Sequence, residues 1–207
     1  SDTLLTVTGE STHVIIEGNT APLGAGVVVL AGAGVLVEDT AKLTLKNNKA
    51  TTGNGGGMYL QDKDSTFSAT GLNTSVAVES NTAGQAGGGI YFTTGADMLV
   101  ENGATVVIQE NTARSLVGGG VSLSSEGSTL TATGTGTRLT VESNTAGQGG
   151  GGIYFTTGAD VLIKIGAIVV IQKNTATSFY GGGMYLQNEG STFSVSGDNT
   201  RVTVESN

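Results

Sequence analysis

The chain has 207 residues, 35 of them Gly, with one Pro, no Cys, 13% charged residues and a net charge of −8. The lack of Cys excludes a disulfide framework and thiolate chemistry, and the single Pro excludes a collagen-like chain or a Pro-rich linker. The acidic balance argues against binding a nucleic-acid backbone, which requires clustered Lys and Arg.

From the N-terminus, an anchor of the form aliphatic-x-x-Asn first occurs at Ile16 to Asn19, followed by a degenerate Gly cluster, Gly24-Ala25-Gly26-Val27. The paired anchors then recur as Leu45 to Asn48 with Gly55 to Met58, Val78 to Asn81 with Gly87 to Ile90, and Ile108 to Asn111 with Gly118 to Val121. Val141 to Asn144 with Gly150 to Ile153, Ile171 to Asn174 with Gly181 to Met184, and Val204 to Asn207 continue the series. The Asn spacings from Asn48 alternate between 33 and 30 residues, and the apolar residues after the Gly clusters are 31 or 32 apart. Two unit types therefore alternate in a super-repeat of 63 residues. Asn81 to Asp97 and Asn144 to Asp160 differ only at Ala86 and Gly149, the mark of duplication by which solenoids lengthen.

Within the unit that begins at Gly87, three β-like runs follow one another: Ile90-Tyr91-Phe92, Met98-Leu99-Val100 and Val106-Val107-Ile108. Thr-Thr-Gly, Asn-Gly and an Asn-Thr-Ala corner separate them, supplying residues that tolerate tight turns and positive φ. No segment has a 3.6-residue period or a helix-capping pattern. The expected fold is all-β: a right-handed parallel β-helix with three short strands per coil of about 31 to 32 residues. Residues 1–207 read as one segment of it, part of a longer repeat protein.

The third run fixes the register. Val14, Leu43, Val76, Val106, Leu139, Val169 and Val202 stand five residues before the anchor Asn, and an aliphatic residue always stands three before it. Those two columns should face inward, and the mixed column between them outward. Two residues before the Asn the order is Glu17, Lys46, Glu79, Gln109, Glu142, Gln172, Glu205. Coils stack about 4.8 Å apart, so adjacent Glu residues would repel. Glu never follows Glu in this column. Asn19, Asn48, Asn81, Asn111, Asn144, Asn174 and Asn207 should form a structural ladder that satisfies corner backbone groups. Tyr59, Tyr91, Tyr154 and Tyr185, interrupted by Ser122, should form a partly exposed stripe, either cross-coil stacking or a contact surface for protein or glycan.

Val78-Glu79-Ser80-Asn81-Thr82-Ala83 with Gly87-Gly88-Gly89-Ile90, and their copies along almost the whole chain, resemble the repeats of the chlamydial polymorphic membrane proteins. That family carries Gly-Gly-Ala-apolar and Phe-x-x-Asn motifs. Here Ile, Leu or Val replaces the Phe, and Gly replaces the Ala. The resemblance implies the passenger of an autotransported adhesin, displayed on the cell surface or extracellularly and attached to a host-surface protein or glycan.

Catalysis has few candidates. Asp97 and Asp160 occupy equivalent positions two coils apart, which suits solvated corners better than the paired carboxylates of a polysaccharide-acting enzyme. Asp62 and Asp64 share one loop without a repeated partner. His13 is the single histidine, so a histidine triad or zinc site has no second member. No Gly-Lys-Ser/Thr follows a Gly cluster, and none of the clusters opens a helix. Thr93-Thr94 and Thr156-Thr157 form too sparse an array for ice. The sequence therefore predicts a non-enzymatic shaft with no catalytic or metal site and no cofactor. Its expected partners are other copies of itself, continuing repeats, or a host-surface protein or glycan. The alternative to the adhesin is a filament subunit whose coils continue end to end, with a polysaccharide-acting enzyme as the weaker reading.

Overall fold

The computed structural model describes residues 3–207, all strand, turn and loop. One coil runs through Ile90–Thr93, Asp97–Glu101, Thr105–Gln109 and Thr112–Ala113. Each strand pairs in parallel with its equivalents one coil before and after, giving four sheets. Sheet 1 contains Ile90–Thr93 and has six strands; sheet 2 contains Asp97–Glu101 and has seven. Sheet 3 contains Thr105–Gln109 and has seven; sheet 4 contains Thr112–Ala113 and has six. The chain thus winds through seven coils.

Sheet 4 adds a fourth strand to the three expected per coil. Its strands are only two residues long, mostly Thr-Ala, too short for hydrophobic alternation to distinguish them from a corner. They still pair in register, as in Thr82 with Thr112 and Ala83 with Ala113.

The core is a set of aligned columns. In sheet 3, Leu43, Leu45, Val76, Val78, Val106, Ile108, Leu139, Val141, Val169 and Ile171 are buried, while Thr44, Ala77, Val107, Thr140 and Val170 are half-exposed between them. Phe67, Met98 and Leu130 from sheet 2 and Met58, Ile90 and Phe92 from sheet 1 close the interior, each fully buried. The charge stagger is realised as bonds: Lys46 Nζ lies 3.3 Å from Glu79 Oε1, and the amides of Gln109 and Gln172 donate to Glu79 and Glu142 at 3.1 and 2.7 Å.

The Gly triplets stack where the coils turn from sheet 4 into sheet 1. A Cβ on Gly119 would lie 2.4 Å from Gly151 O and 2.5 Å from Thr145 O, both backbone atoms of the next coil. The degenerate first copy shows the effect of a side chain there. Gly24 N and Gly26 N still donate to Asn54 O and Gly56 O, at 3.0 and 3.3 Å, but the Ala25 amide makes no corresponding bond among the described residues.

Candidate contact surface

The recurrent Asn residues form a continuous inner ladder. Asn111 Oδ1 accepts from the Asn81 backbone N–H at 2.9 Å and from Asn81 Nδ2 at 3.0 Å. Asn111 Nδ2 donates to Val78 O at 2.8 Å and to Asn144 Oδ1 at 3.0 Å. The same pattern links Asn19 to Asn48, Asn48 to Asn81, Asn144 to Asn174 and Asn174 to Asn207. The acceptor carbonyl belongs to the aliphatic residue of the previous coil's anchor, so the ladder explains why aliphatic-x-x-Asn recurs as a unit. Asn48, Asn81, Asn111, Asn144 and Asn174 are at most 1% exposed and therefore face no ligand.

The residue before each Asn takes a left-handed backbone, with φ 55° at Asn47 and Ser80, 57° at Glu110 and 55° at Ser143 and Lys173. For a non-Gly residue this costs about 1–2 kcal/mol. Sequence reading placed positive φ on Gly, Asn and Thr and missed Ser, Glu and Lys here; no residue type marks the position. The neighbouring Asn bonds offset the strain.

The tyrosine column, expected as a partly exposed stripe, is partly exposed at two positions and buried at the other two. Tyr59 and Tyr154 are only 7% and 8% exposed, and Tyr91 and Tyr185 are half-buried. The loop entering sheet 1 folds over its outer face, so that Cβ atoms on Gly55, Gly87 and Gly150 would fall 2.8, 2.7 and 2.9 Å from the Cβ atoms of Tyr59, Tyr91 and Tyr154. Tyr59 and Tyr91 stack at 5.4 Å and 11°, Tyr154 and Tyr185 pack at 5.4 Å and 47°, and buried Ser122 separates the pairs. The Tyr59 hydroxyl donates to Gln61 at 2.7 Å and that of Tyr154 to Gln187 at 2.9 Å.

The same column accounts for the one difference between the duplicated segments. A Cβ at Gly149 would sit 2.8 Å from the Tyr185 ring and 3.0 Å from Tyr180 O, where Tyr180 and Tyr185 stack at 4.7 Å. One super-repeat earlier the next coil carries Val117 and Ser122, and Ala86 fits.

Open surface lies instead at the corners between sheets 1 and 2. Lys63-Asp64 and Ser125-Glu126-Gly127 project on either side of the shorter Thr94-Gly95 corner and leave a notch of about 480 Å³. At Asp97 this notch meets a groove of about 310 Å³ on the outer face of sheet 2, lined by Thr66, Ser68, Leu99, Thr129 and Thr131. A second notch of about 360 Å³, at Glu126, Thr157, Gly158 and Glu189, follows one super-repeat on. Hydroxyl rows Thr66-Ser68-Thr70 and Thr129-Thr131-Thr133 flank the Asp97-Leu99-Glu101 row in register. Sequence reading missed these rows, although Thr-x-Ser-x-Thr alternation was their visible signal.

The carboxylates considered for catalysis are engaged at strand starts. Asp97 Oδ1 accepts from Thr129 Oγ1 at 2.7 Å and from its amide at 3.2 Å, and Asp160 Oδ1 accepts from the Thr192 amide at 3.1 Å. Asp62 accepts from the Ala31 amide at 3.0 Å. Among the described residues no group of three His, Cys, Asp or Glu could hold a metal ion.

Comparison with known families matches residues 5–135 to the right-handed beta helix region model. The chain belongs to that family. Residues 138–156 of this right-handed β-helix match the Chlamydia polymorphic membrane protein repeat, a segment that includes the Asn144 corner and the Gly150-Gly151-Gly152 triplet. The repeat match supports the resemblance drawn from the paired anchors and points to a surface or outer-membrane-associated protein. Searches of curated proteins and of solved structures returned no match.

Burial within the β-helix raises the Tyr59 hydroxyl above its ordinary pKa of 10.0, helped by Tyr91 and Asp62. Burial likewise raises that of Tyr154, partly offset by a hydrogen bond with Thr156. The fold therefore favours both neutral phenols. Their contribution is intact below the unfolded pKa of about 10 and is lost as pH rises through the higher folded values. Absorbance titration at 295 nm should show Tyr59 and Tyr154 ionising late, together with unfolding. Tyr59→Phe with Tyr154→Phe should remove the late phase; an unchanged profile would contradict the burial described.

Proposed function

We propose that this chain is a stretch of the passenger shaft of a surface autotransporter, non-catalytic, that attaches to host-surface glycan through a trough formed by the sheet 2 groove and the notch that meets it at Asp97. The observation that carries this reading is the trough itself. Half-buried Leu99 offers an apolar floor, and the hydroxyls of Thr66, Thr129 and Thr131 with the Asp97 carboxylate stand around it. A sugar ring presents one apolar face and several hydroxyls, which suits a small apolar platform edged with polar groups. Asp64, Asp97 and Glu126 around one Lys favour neutral or amino sugars over acidic ones. The non-enzymatic reading is supported by the engagement of Asp97 and Asp160 with threonines of the following coil.

The test is binding of the purified chain to arrayed neutral, amino and acidic glycans and to host cells. Thr94→Lys with Thr131→Lys should reduce binding to neutral glycans at least about tenfold, since each sugar hydroxyl left without its partner costs about 1–3 kcal/mol, while leaving thermal unfolding unchanged. Binding that persists in the double variant would place adhesion elsewhere. Turnover of a polysaccharide, abolished by Asp97→Asn, would overturn the non-enzymatic reading.

A further inference from the structure

The outer face of sheet 3 carries opposite charges at the two ends of the same strands. Arg138 starts and Glu142 ends Arg138–Glu142; Arg201 and Glu205 do the same two coils on. Ile168, Val170 and Gln172 lie in register between them and floor a recess of about 380 Å³ that Arg138, Arg201 and Glu205 border. Lys46–Glu79 is the one ion pair among the described residues, so both arginines are free of carboxylates within the chain. The middle column, Ile15, Thr44, Ala77, Val107, Thr140, Val170 and Thr203, carries no charge.

This face is complementary to itself in one orientation. A two-fold axis along the middle column, parallel to the solenoid axis, keeps the order of coils and exchanges the two ends of every strand. Arg138 then faces Glu142 of a second copy, Arg201 faces Glu205, and both contacts occur twice, as an isologous interface requires. His13 faces Glu17 in the same way. A two-fold axis along the strands instead sets arginine against arginine. Sheet 2 lacks the property, because Asp97 and Glu101 stand at opposite ends of one strand and would meet as like charges.

We propose that the outer face of sheet 3 pairs two copies of the chain side by side, with their coils aligned in parallel. The proposal is independent of glycan attachment, which uses sheet 2. Seven rows at about 4.8 Å, each about 13 Å wide, bury about 900 Å² in all. That is below the ~1,200 Å² of a stable interface, so pairing is weak and salt-sensitive, and crowding on a surface strengthens it by raising effective concentration. Lys42 and Lys46 oppose each other across the axis, and Glu79 at 3.3 Å from Lys46 neutralises part of that repulsion.

Sedimentation velocity across a concentration series tests the proposal. The unmodified chain should dimerise reversibly at low salt and dissociate at about 0.5 M salt. Arg138→Glu with Arg201→Glu, and separately Glu142→Arg with Glu205→Arg, should each be monomeric. An equimolar mixture of these two variants should form a heterodimer. Circular dichroism checks that each variant folds, and Arg138→Gln with Arg201→Gln replaces any that does not, with weakened dimerisation expected. An unmodified chain that stays monomeric, variants that self-pair as well as it does, or a mixture that stays monomeric would overturn the proposal.

Discussion

Asn111→Ala, like the same change at the equally buried Asn81 or Asn144, is expected to lower stability by about 4 kcal/mol. The Asn81 amide and Val78 O would both lose the partner that Asn111 supplies, in a site with no solvent access. Each stranded buried group costs about 1–3 kcal/mol, and Asn81 Nδ2 and Asn144 Oδ1 also lose a bond. Asn207→Ala is the control. Asn207 makes equivalent bonds but is exposed, so water can replace them, and the expected cost is about 1 kcal/mol. Asn111→Asp gives a second signature. Its carboxylate would face Val78 O and Asn144 Oδ1, so the folded form favours the protonated acid and raises its pKa. Stability should be greatest below the unfolded value of about 3.9 and fall as pH rises through the folded one. Denaturant midpoints at several pH values measure both effects.

Gly119→Ala should be comparably severe, at about 3 kcal/mol or more, or should prevent folding. The new Cβ would meet Gly151 O and Thr145 O at 2.4 and 2.5 Å, and backbone at a fixed coil spacing cannot rotate away. Gly127→Ala separates this steric effect from backbone preference. Gly127 has φ 78°, but the nearest atom to an added Cβ is Gly95 Cα at 3.7 Å. Its cost should be the left-handed penalty alone, about 1–2 kcal/mol. Equal losses for the two substitutions would contradict the close-packing role of the triplet.

Features that repeat as residue type were legible in the sequence. The inward aliphatic columns, the Gly triplets and the alternating Glu column each bind a residue type to a contact between neighbouring coils. The Thr-Ala strands of sheet 4 were not, because two residues carry no periodicity. The left-handed residue before each Asn was also hidden, since Ser80, Glu110 and Lys173 share a conformation without sharing chemistry. The tyrosine column was visible as a column, but its burial depends on a loop folding back over the sheet through Gly55, Gly87 and Gly150. Alternation places a side chain on the outer face and is silent about what covers that face. The notch arises where the short Thr94-Gly95 corner lies between the longer corners of the coils before and after it, and it meets the sheet 2 groove at Asp97, relations that need the stacking register first.

The ladder and triplet together convert a repeating sequence into a closed core, leaving only the outer faces for recognition. Amide hydrogen exchange of the asparagine side chains, followed by NMR, tests this most directly. The Nδ2 protons of Asn48, Asn81, Asn111, Asn144 and Asn174 are expected to exchange slowly, as are their backbone amides, each donating to the next coil at 2.9–3.0 Å. Exchange of these protons at the rate of free carboxamides would contradict the closed core.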